Sequence, residues 1–438
     1  MKDEFSSEGK IKGRFVLVGG FLGAGKTTLI GHMALWIKAV GREVALVTND
    51  QGEGLLDTAS AREILRKSEE SRPETNNKID RRNENITSLS NPHSSLQNQG
   101  SQPVAEITGG CFCCRLEELV GAIEELSRES RPEVIVAEPV GSCTDLMATV
   151  VRPLEQVYET PLALAPLSVV LDARRALAAL GGRRNKRDFH RDVGYIYRKQ
   201  LEEAEWLVVN KCDLLSADDL ADLQARLDRD YPGKRVFLLS AKTGEGMEEW
   251  FAALLQHETA GGQEVEVDYE RYAEGEALLG WVNSEARCQP RQEVDWGQWL
   301  ARVARTIATR LEESGHEVGH FKMSVETDGR RYRVHQVMSG EEVVSENTSD
   351  PRAGRLSSTG ETPVLPAEQL RPTDETPVLP AEQKATLLVN LRAEGEAKAL
   401  KAIVTQSFDA QSEVEVLFQK QAAFQPGKPV PVHRIAVA

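Results

Sequence analysis

Ile107–Arg115 reads ITGGCFCCR and places three thiols, Cys111, Cys113 and Cys114, within four residues. Thiolates select soft or borderline ions such as Zn²⁺ and Cu(I), with Co²⁺ and Ni²⁺ also suited. A tetrahedral zinc site needs four ligands. Three thiolates therefore leave one position, which Asp50, Glu53, a water or a ligand from a client could fill. An incompletely closed site suits transfer better than permanent structure. A disulfide between adjacent Cys113 and Cys114 would be strained. Cys143, Cys212 and Cys288 stand singly and read as packing residues.

A second constellation lies upstream. Arg14–Thr28 reads RFVLVGGFLGAGKTT, in which Gly20, Gly25, Lys26 and Thr27 fit G-x-x-x-x-G-K-[ST]. Gly23, Ala24 and Thr28 belong to the same run. Small residues let successive backbone N–H groups converge on a phosphate at a helix N-terminus. Lys26 supplies a cation for the β- and γ-phosphates, and the Thr27 hydroxyl a ligand for Mg²⁺.

Trp206–Asp213 reads WLVVNKCD, a strand running into N-K-x-D. A carboxylate at Asp213 can accept from guanine N1–H and the 2-amino group together. Asn210 can bond the other edge, and the Lys211 stem can cover the base. Adenine lacks that donor pair and would leave Asp213 unmatched. Ser240-Ala241-Lys242 follows the next strand, where backbone N–H groups can meet guanine O6. The order P-loop, N-K-x-D, S-A-K favours GTP over ATP.

Two acidic segments complete the expected nucleotide site. Thr48–Glu53 reads TNDQGE just past the second strand, so Asp50 and Glu53 are placed to hold metal or water, with solvated loop carboxylates as the plainer alternative. Val134–Gly141 reads VIVAEPVG. A carboxylate ending a buried strand reads as the Walker-B-type Mg²⁺ ligand, here Glu138. Gly141 could approach the γ-phosphate by its N–H. Lys26, Asp50 and Glu138 are thus the residues expected to act directly in hydrolysis.

These groups need a scaffold that brings strand ends to one edge. From Arg14 to about Gln256, Val-, Ile- and Leu-rich runs alternate with amphipathic helical stretches. Runs without polar alternation are how strands of a parallel sheet, buried on both faces, read. The expectation is an α/β P-loop NTPase domain over 14–258, with a mostly parallel, doubly wound sheet. Residues 1–13 read as a tail and 259–263 as a linker. Residues 264–438 read as a smaller α+β accessory domain with βαββαβ, split-βαβ-like order. Two polar segments, 68–103 and 339–383, lack the apolar content to offset ordering entropy and read as disordered insertions. The second holds ETPVLPAEQ twice, at Glu361–Gln369 and Glu375–Gln383.

With 53 basic and 68 acidic side chains, net charge -15, bulk electrostatic binding to nucleic acid or anionic lipid is not expected. MKDEFSSEGK has no apolar core of a signal peptide, and no stretch is long enough to span a bilayer. The expectation is a cytoplasmic protein.

GGFLGAGKTT, GGCFCC, the Glu138 strand and NKCD occur in the order that resembles a CobW-type GTPase of the CobW/HypB/UreG metallochaperones. The likeness runs from Arg14 to about Gln256. It implies GTP hydrolysis, slow and stimulated by metal or partner, coupled to delivery of a transition metal, most often zinc with cobalt known, to a client metalloprotein or cofactor pathway. It also raises a nucleotide-dependent homodimer as an expectation. Cys111, Cys113 and Cys114 match the family's metal motif; Gly25, Lys26 and Thr27 match its phosphate and Mg²⁺ positions. Three positions depart from the pattern: Thr48 and Asp50, each where the family often has Glu, and Pro139-Val140 after Glu138. A regulatory GTPase with a purely structural zinc is the alternative. His316–His320, HEVGH, matches the metalloprotease motif literally, but flanking Gly315 and Gly319 argue against the helix it requires.

Overall fold

The computed structural model describes residues 13–49, 103–181, 189–263, 265–347 and 385–436. Asp50, Glu53, nearly all of the 68–103 segment and both ETPVLPAEQ copies lie outside the described residues. The chain divides into two compact units, Met1–Gly181 with Tyr197–Val267 and Pro429–Ala438, and Gly182–Ile196 with Asp268–Lys428. Pro429–Ala438 thus groups with the first unit, although by sequence it ends the accessory region.

The first unit holds an eight-stranded sheet. Its strands are β1 (Arg14–Gly20), β2 (Val44–Asn49), β3 (Val104–Ile107), β4 (Val134–Glu138), β5 (Ala163–Leu164), β6 (Ser168–Asp172), β7 (Trp206–Asn210) and β8 (Arg235–Leu238). Their order is β3-β2-β4-β1-β6-β7-β8, with β5 also pairing β1, and each pair is parallel. Central strands such as VIVAE and WLVVN are buried at every position, as apolar runs covered on both faces must be. Helix α1 (Lys26–Ala39) packs Leu29, Ile30, Met33 and Ile37 against Val16, Val18, Val44 and Val134. Helix α2 is Leu116–Glu129.

Parallel register puts the chemistry at one end of this sheet. Asn49 aligns with Ile107, Thr48 with Glu138, and Asp172 with Asn210. The carboxyl edge, where α/β proteins bind ligands, therefore carries Asn49, Glu138, Asp172 and Asn210 together.

The second unit is a six-stranded antiparallel sheet. Its strands are β9 (Leu279–Pro290), β10 (Val318–Thr327), β11 (Arg330–Gln336), β12 (Val344–Asn347), β13 (Ala385–Glu394) and β14 (Val414–Phe424), ordered β12-β11-β10-β13-β9-β14. Helices α3 (Trp296–Glu313) and α4 (Ala397–Asp409) follow β9 and β13. The order β14-β9-β13-β10 is the split-βαβ arrangement, widened by the β11–β12 hairpin. Helix α3 buries Trp299, Leu300, Val303, Ile307 and Leu311, a stripe at three- and four-residue spacing.

One sequence expectation changes here and another holds. The 339–383 segment is not uniformly without structure: Val344–Asn347 pairs with β11 from Tyr332 to His335, a hairpin return that low local apolar content hid. HEVGH is not helical. Val318 begins β10, and His320 lies buried in it opposite Arg392. Its two imidazoles do not share a helix face, so no zincin site forms.

Candidate nucleotide site and metal centre

The P-loop is built by close approach. Gly20 has φ 132°, and a Cβ there would lie 2.3 Å from Val170 O on the neighbouring strand. Gly25 has φ 92°, and its Cβ would lie 2.4 Å from Asn210 Nδ2. Only glycine meets both the left-handed backbone and the clearance at these positions. Lys26 is buried, and its Nζ donates to Gly20 O at 2.8 Å, curling back over the loop that a phosphate would fill. Thr27 Oγ1 donates to Glu138 Oε1 at 3.0 Å. Strand register thus brings the hydroxyl and carboxylate expected at Mg²⁺ into direct contact, and the pair suits a hard cation.

The N-K-x-D residues first serve the loops around them. Asn210 Nδ2 donates to Ala24 O at 2.9 Å, while its Oδ1 accepts from Lys211 N at 2.8 Å and Ala241 N at 3.0 Å. Lys211, at φ 65°, sends Nζ to Gly23 O at 2.8 Å and to Asp172 Oδ2 at 2.6 Å. These two side chains tie the P-loop to the base loop. Burial pushes the Asp172 carboxyl up, but the Lys211 charge and hydrogen bond and the Arg175 N–H outweigh it and hold the group below its ordinary value. Asp213 is exposed and oriented by Ser240 Oγ, which donates to Oδ1 at 2.6 Å. Lys242 is exposed. The Ser240 and Ala241 N–H groups, expected to face guanine O6, donate instead to Glu245 O and Asn210 Oδ1. Sequence spacing cannot reveal that both are already engaged.

The thiols converge. Sγ of Cys111 lies 2.7 Å from that of Cys113 and 3.3 Å from that of Cys114, and Cys113 and Cys114 are 3.8 Å apart. Among the described residues these three sulfurs lie close enough together, all within 4.8 Å, to hold a metal ion. Asn49, the last residue of β2, shapes the loop that holds them. Its Nδ2 donates to Ile107 O at 3.0 Å and Gly110 O at 2.8 Å, and its Oδ1 accepts from Phe112 N at 3.0 Å. Phe112 is fully buried and anchors the turn. Cys114 N and Arg115 N both donate to Cys111 O at 3.0 Å, starting the turn that leads into α2.

Electrostatics make the thiols unequal. Hydrogen bonding with Cys113, then Cys114 and Cys143, holds the Cys111 thiol well below its ordinary value against the effect of burial. Cys113 is pushed well up, and Cys114 up, first by their bonds to Cys111. Of the three, Cys111 is thus the thiol held lowest, and metal ligation would require the others to lose their protons.

Three contributors escaped the sequence reading. Asn49 stood in the Thr48–Glu53 run with no role assigned to it. Cys143 looked solitary, yet its thiol bonds Cys111. The carboxyl-terminal segment also reaches the cluster: Val430 N donates to Cys114 Sγ at 3.3 Å and Val432 N to Cys113 O at 2.9 Å. Arg434 fastens this segment through Asp145 Oδ2 at 2.7 Å. Separations of about 290 or more residues leave no local signal for it.

Residues 14–237, just over half of the chain, match the family described as CobW/HypB/UreG, nucleotide-binding domain. A protein named Zinc chaperone CobW from Pseudomonas aeruginosa is 27% identical over 247 residues, covering 52% of this chain and 56% of its own length. One of the same name from a Sinorhizobium species is 23% identical over 258 residues, covering 55% and 61%. The chain therefore spans little more than half the length of these curated relatives. Among solved structures, HypB from Helicobacter pylori in complex with nickel is 13% identical with TM-score 0.34, covering 56% of this chain and 87% of its own. The Zn(II)-bound YjiA GTPase from E. coli is 13% identical with TM-score 0.31, covering 90% and 98%.

Proposed function

We propose that this chain, which belongs to the CobW/HypB/UreG nucleotide-binding family, is a GTP-hydrolysing metallochaperone that carries a transition metal, zinc first, to a client protein or cofactor pathway. The observation that carries this reading is one thiol cluster and one P-loop at the same sheet edge. β3 and β1 are three strand positions apart, about 14 Å at ordinary strand spacing.

Lys26 and the P-loop N–H groups bind the phosphates, and Asp213, steadied by Ser240, selects guanine. Thr27 and Glu138 are the residues that would hold Mg²⁺, which would offset negative charge developing on the phosphates. The cargo ion binds Cys111, Cys113 and Cys114. Nucleotide turnover then alters the cluster, and linkage demands that metal alter nucleotide affinity by the same factor.

The nearly complete burial of Cys111 and Cys113 favours a second reading, a structural zinc that is never handed on. Competition titrations with a chelator, run with GTP analogue and with GDP, separate the two. The chaperone reading requires different zinc affinities in the two states, and GTP affinity changed reciprocally by zinc. One affinity in both states, with the ion retained through turnover, supports the structural reading and overturns delivery.

A further inference from the structure

Cys143 follows the carboxyl end of β4 by five residues, yet its thiol reaches across to hydrogen-bond the Cys111 sulfur. It is 2% exposed. Its backbone position is fixed on both sides: its N–H donates to Val140 O at 2.9 Å, and its carbonyl accepts from Gln200 Nε2 at 2.7 Å. The same Gln200 nitrogen donates to Gly141 O at 3.1 Å. Gly141 in turn stands against the P-loop, where a Cβ on it would lie 3.2 Å from Lys26 Nζ and 2.8 Å from Leu22 Cδ2.

We propose that Cys143 is the fourth thiolate of the metal site, so that the cargo ion is held by Cys111, Cys113, Cys114 and Cys143. The chemistry fits. A tetrahedral ion of zinc type takes four sulfur ligands at about 2.3 Å, and the three clustered thiols supply one too few. Cys143 hydrogen-bonds Cys111, while the mutually close set comprises the other three. Completing the cage requires the Cys143 turn to bring its sulfur toward Cys113 and Cys114 as well.

The assignment also gives the site its means of opening. Cys143 and Gly141 lie on one turn held by one glutamine, and Gly141 faces the lysine that reads the γ-phosphate. A change at the phosphate that shifts Gly141 must shift Cys143, moving the site between four and three sulfurs. Loss of one sulfur exposes a coordination position to a client ligand, which an exchange reaction requires. This deepens the metallochaperone reading and rests on it.

The test uses the full chain, reduced and free of metal, with Co²⁺ as the optical probe and Zn²⁺ for X-ray absorption. Zinc-loaded wild-type protein with GTP analogue should show a first shell of four sulfurs. Cys143→Ser should show three sulfurs and one lighter atom. It should also lose about a quarter of the thiolate-to-cobalt absorption, since intensity follows the number of thiolates. Its zinc affinity should fall about 10-fold or more and differ less between GTP analogue and GDP. The wild-type sulfur count needs no variant, so a poorly folding Cys143→Ser would not remove the test. Three sulfurs in wild-type protein in both nucleotide states overturns the role of Cys143 and leaves the three-thiol chaperone standing. Absence of sulfur ligation altogether overturns both.

Discussion

The Phe112 N–H donates to the Asn49 side-chain oxygen at 3.0 Å, joining the end of one strand to the middle of the cysteine turn. With its donations to Ile107 and Gly110, Asn49 meets three backbone groups that a tight turn would otherwise leave unmatched. Such positioning partners tune metal affinity without touching the ion. Asn49→Ala should weaken zinc binding by about 10–100-fold, while GDP affinity in the absence of zinc stays within about twofold of wild type. Asn49→Asp keeps the acceptor and loses the donors, so it should fall between the two. Zinc affinity unchanged in Asn49→Ala would show that Phe112 burial alone sets the turn.

The P-loop and N-K-x-D were legible because their chemistry is local: contiguous residues, a strand before and, for the P-loop, a helix after. The parallel sheet was legible because fully buried strands leave uninterrupted apolar runs. What escaped depends on strand order and long-range pairing. Asn49 becomes a brace only because β2 lies beside β3. Cys143 becomes a neighbour of Cys111 although it lies 32 positions further along the chain, since β4 runs next to β2 in turn. Asn210 and Lys211 were read as base contacts, but their bonds to Ala24 and Gly23 follow from β7, β6 and β1 being adjacent.

In the proposed function base selection rests on Asp213, which accepts from Ser240 Oγ at 2.6 Å. Asp213→Asn replaces one carboxylate acceptor with an amide donor facing the guanine 2-amino group. GTP affinity should fall by about 100-fold or more. A purine bearing an oxygen in place of that amino group, as in xanthosine triphosphate, should regain most of the loss. Equal loss for both nucleotides would mean Asp213 acts through Ser240 and not on the base. Ser240→Ala, which frees the carboxylate to turn, should cost a smaller factor of about 3–10.

Glu203 is fully buried beside the Asp145–Arg434 pair and accepts from Thr144 Oγ1 at 3.1 Å and Met147 N at 3.3 Å. Burial first, and the Asp145 charge second, push its carboxyl up from 4.5 to about 8. The folded chain therefore keeps a proton that the unfolded chain has released between those values. This contribution to stability is complete below about pH 4.5 and is lost as pH rises through about 8. Across that window the slope is about 1.4 kcal/mol per pH unit for one proton. Denaturation of the metal-free protein in urea from pH 5.5 to 8.5 should show wild type losing stability relative to Glu203→Gln. Parallel profiles for the two proteins would place the ionised group in a better-solvated setting than its burial implies.

The segment after Lys428 gives the cluster a hydrogen-bond donor. The Val430 N–H meets Cys114 Sγ, and a donor to sulfur favours the thiolate over the thiol. The Val430 side chain itself is 69% exposed, so altering it disturbs little packing. Val430→Pro removes that one N–H and keeps the extended backbone that flanking Pro429 and Pro431 already impose. The Cys114 thiol should then deprotonate at higher pH, read as an upward shift in the midpoint of its alkylation profile. Zinc should dissociate about 10-fold faster, with GTP affinity of the metal-free protein unchanged. Removing Pro429–Ala438 entirely also deletes the Arg434–Asp145 pair and uncovers Cys113 O, so it should raise the alkylation rate of Cys114 at every pH. If Val430→Pro leaves both the alkylation midpoint and zinc release where they are in wild type, the segment covers the site without acting on its sulfur.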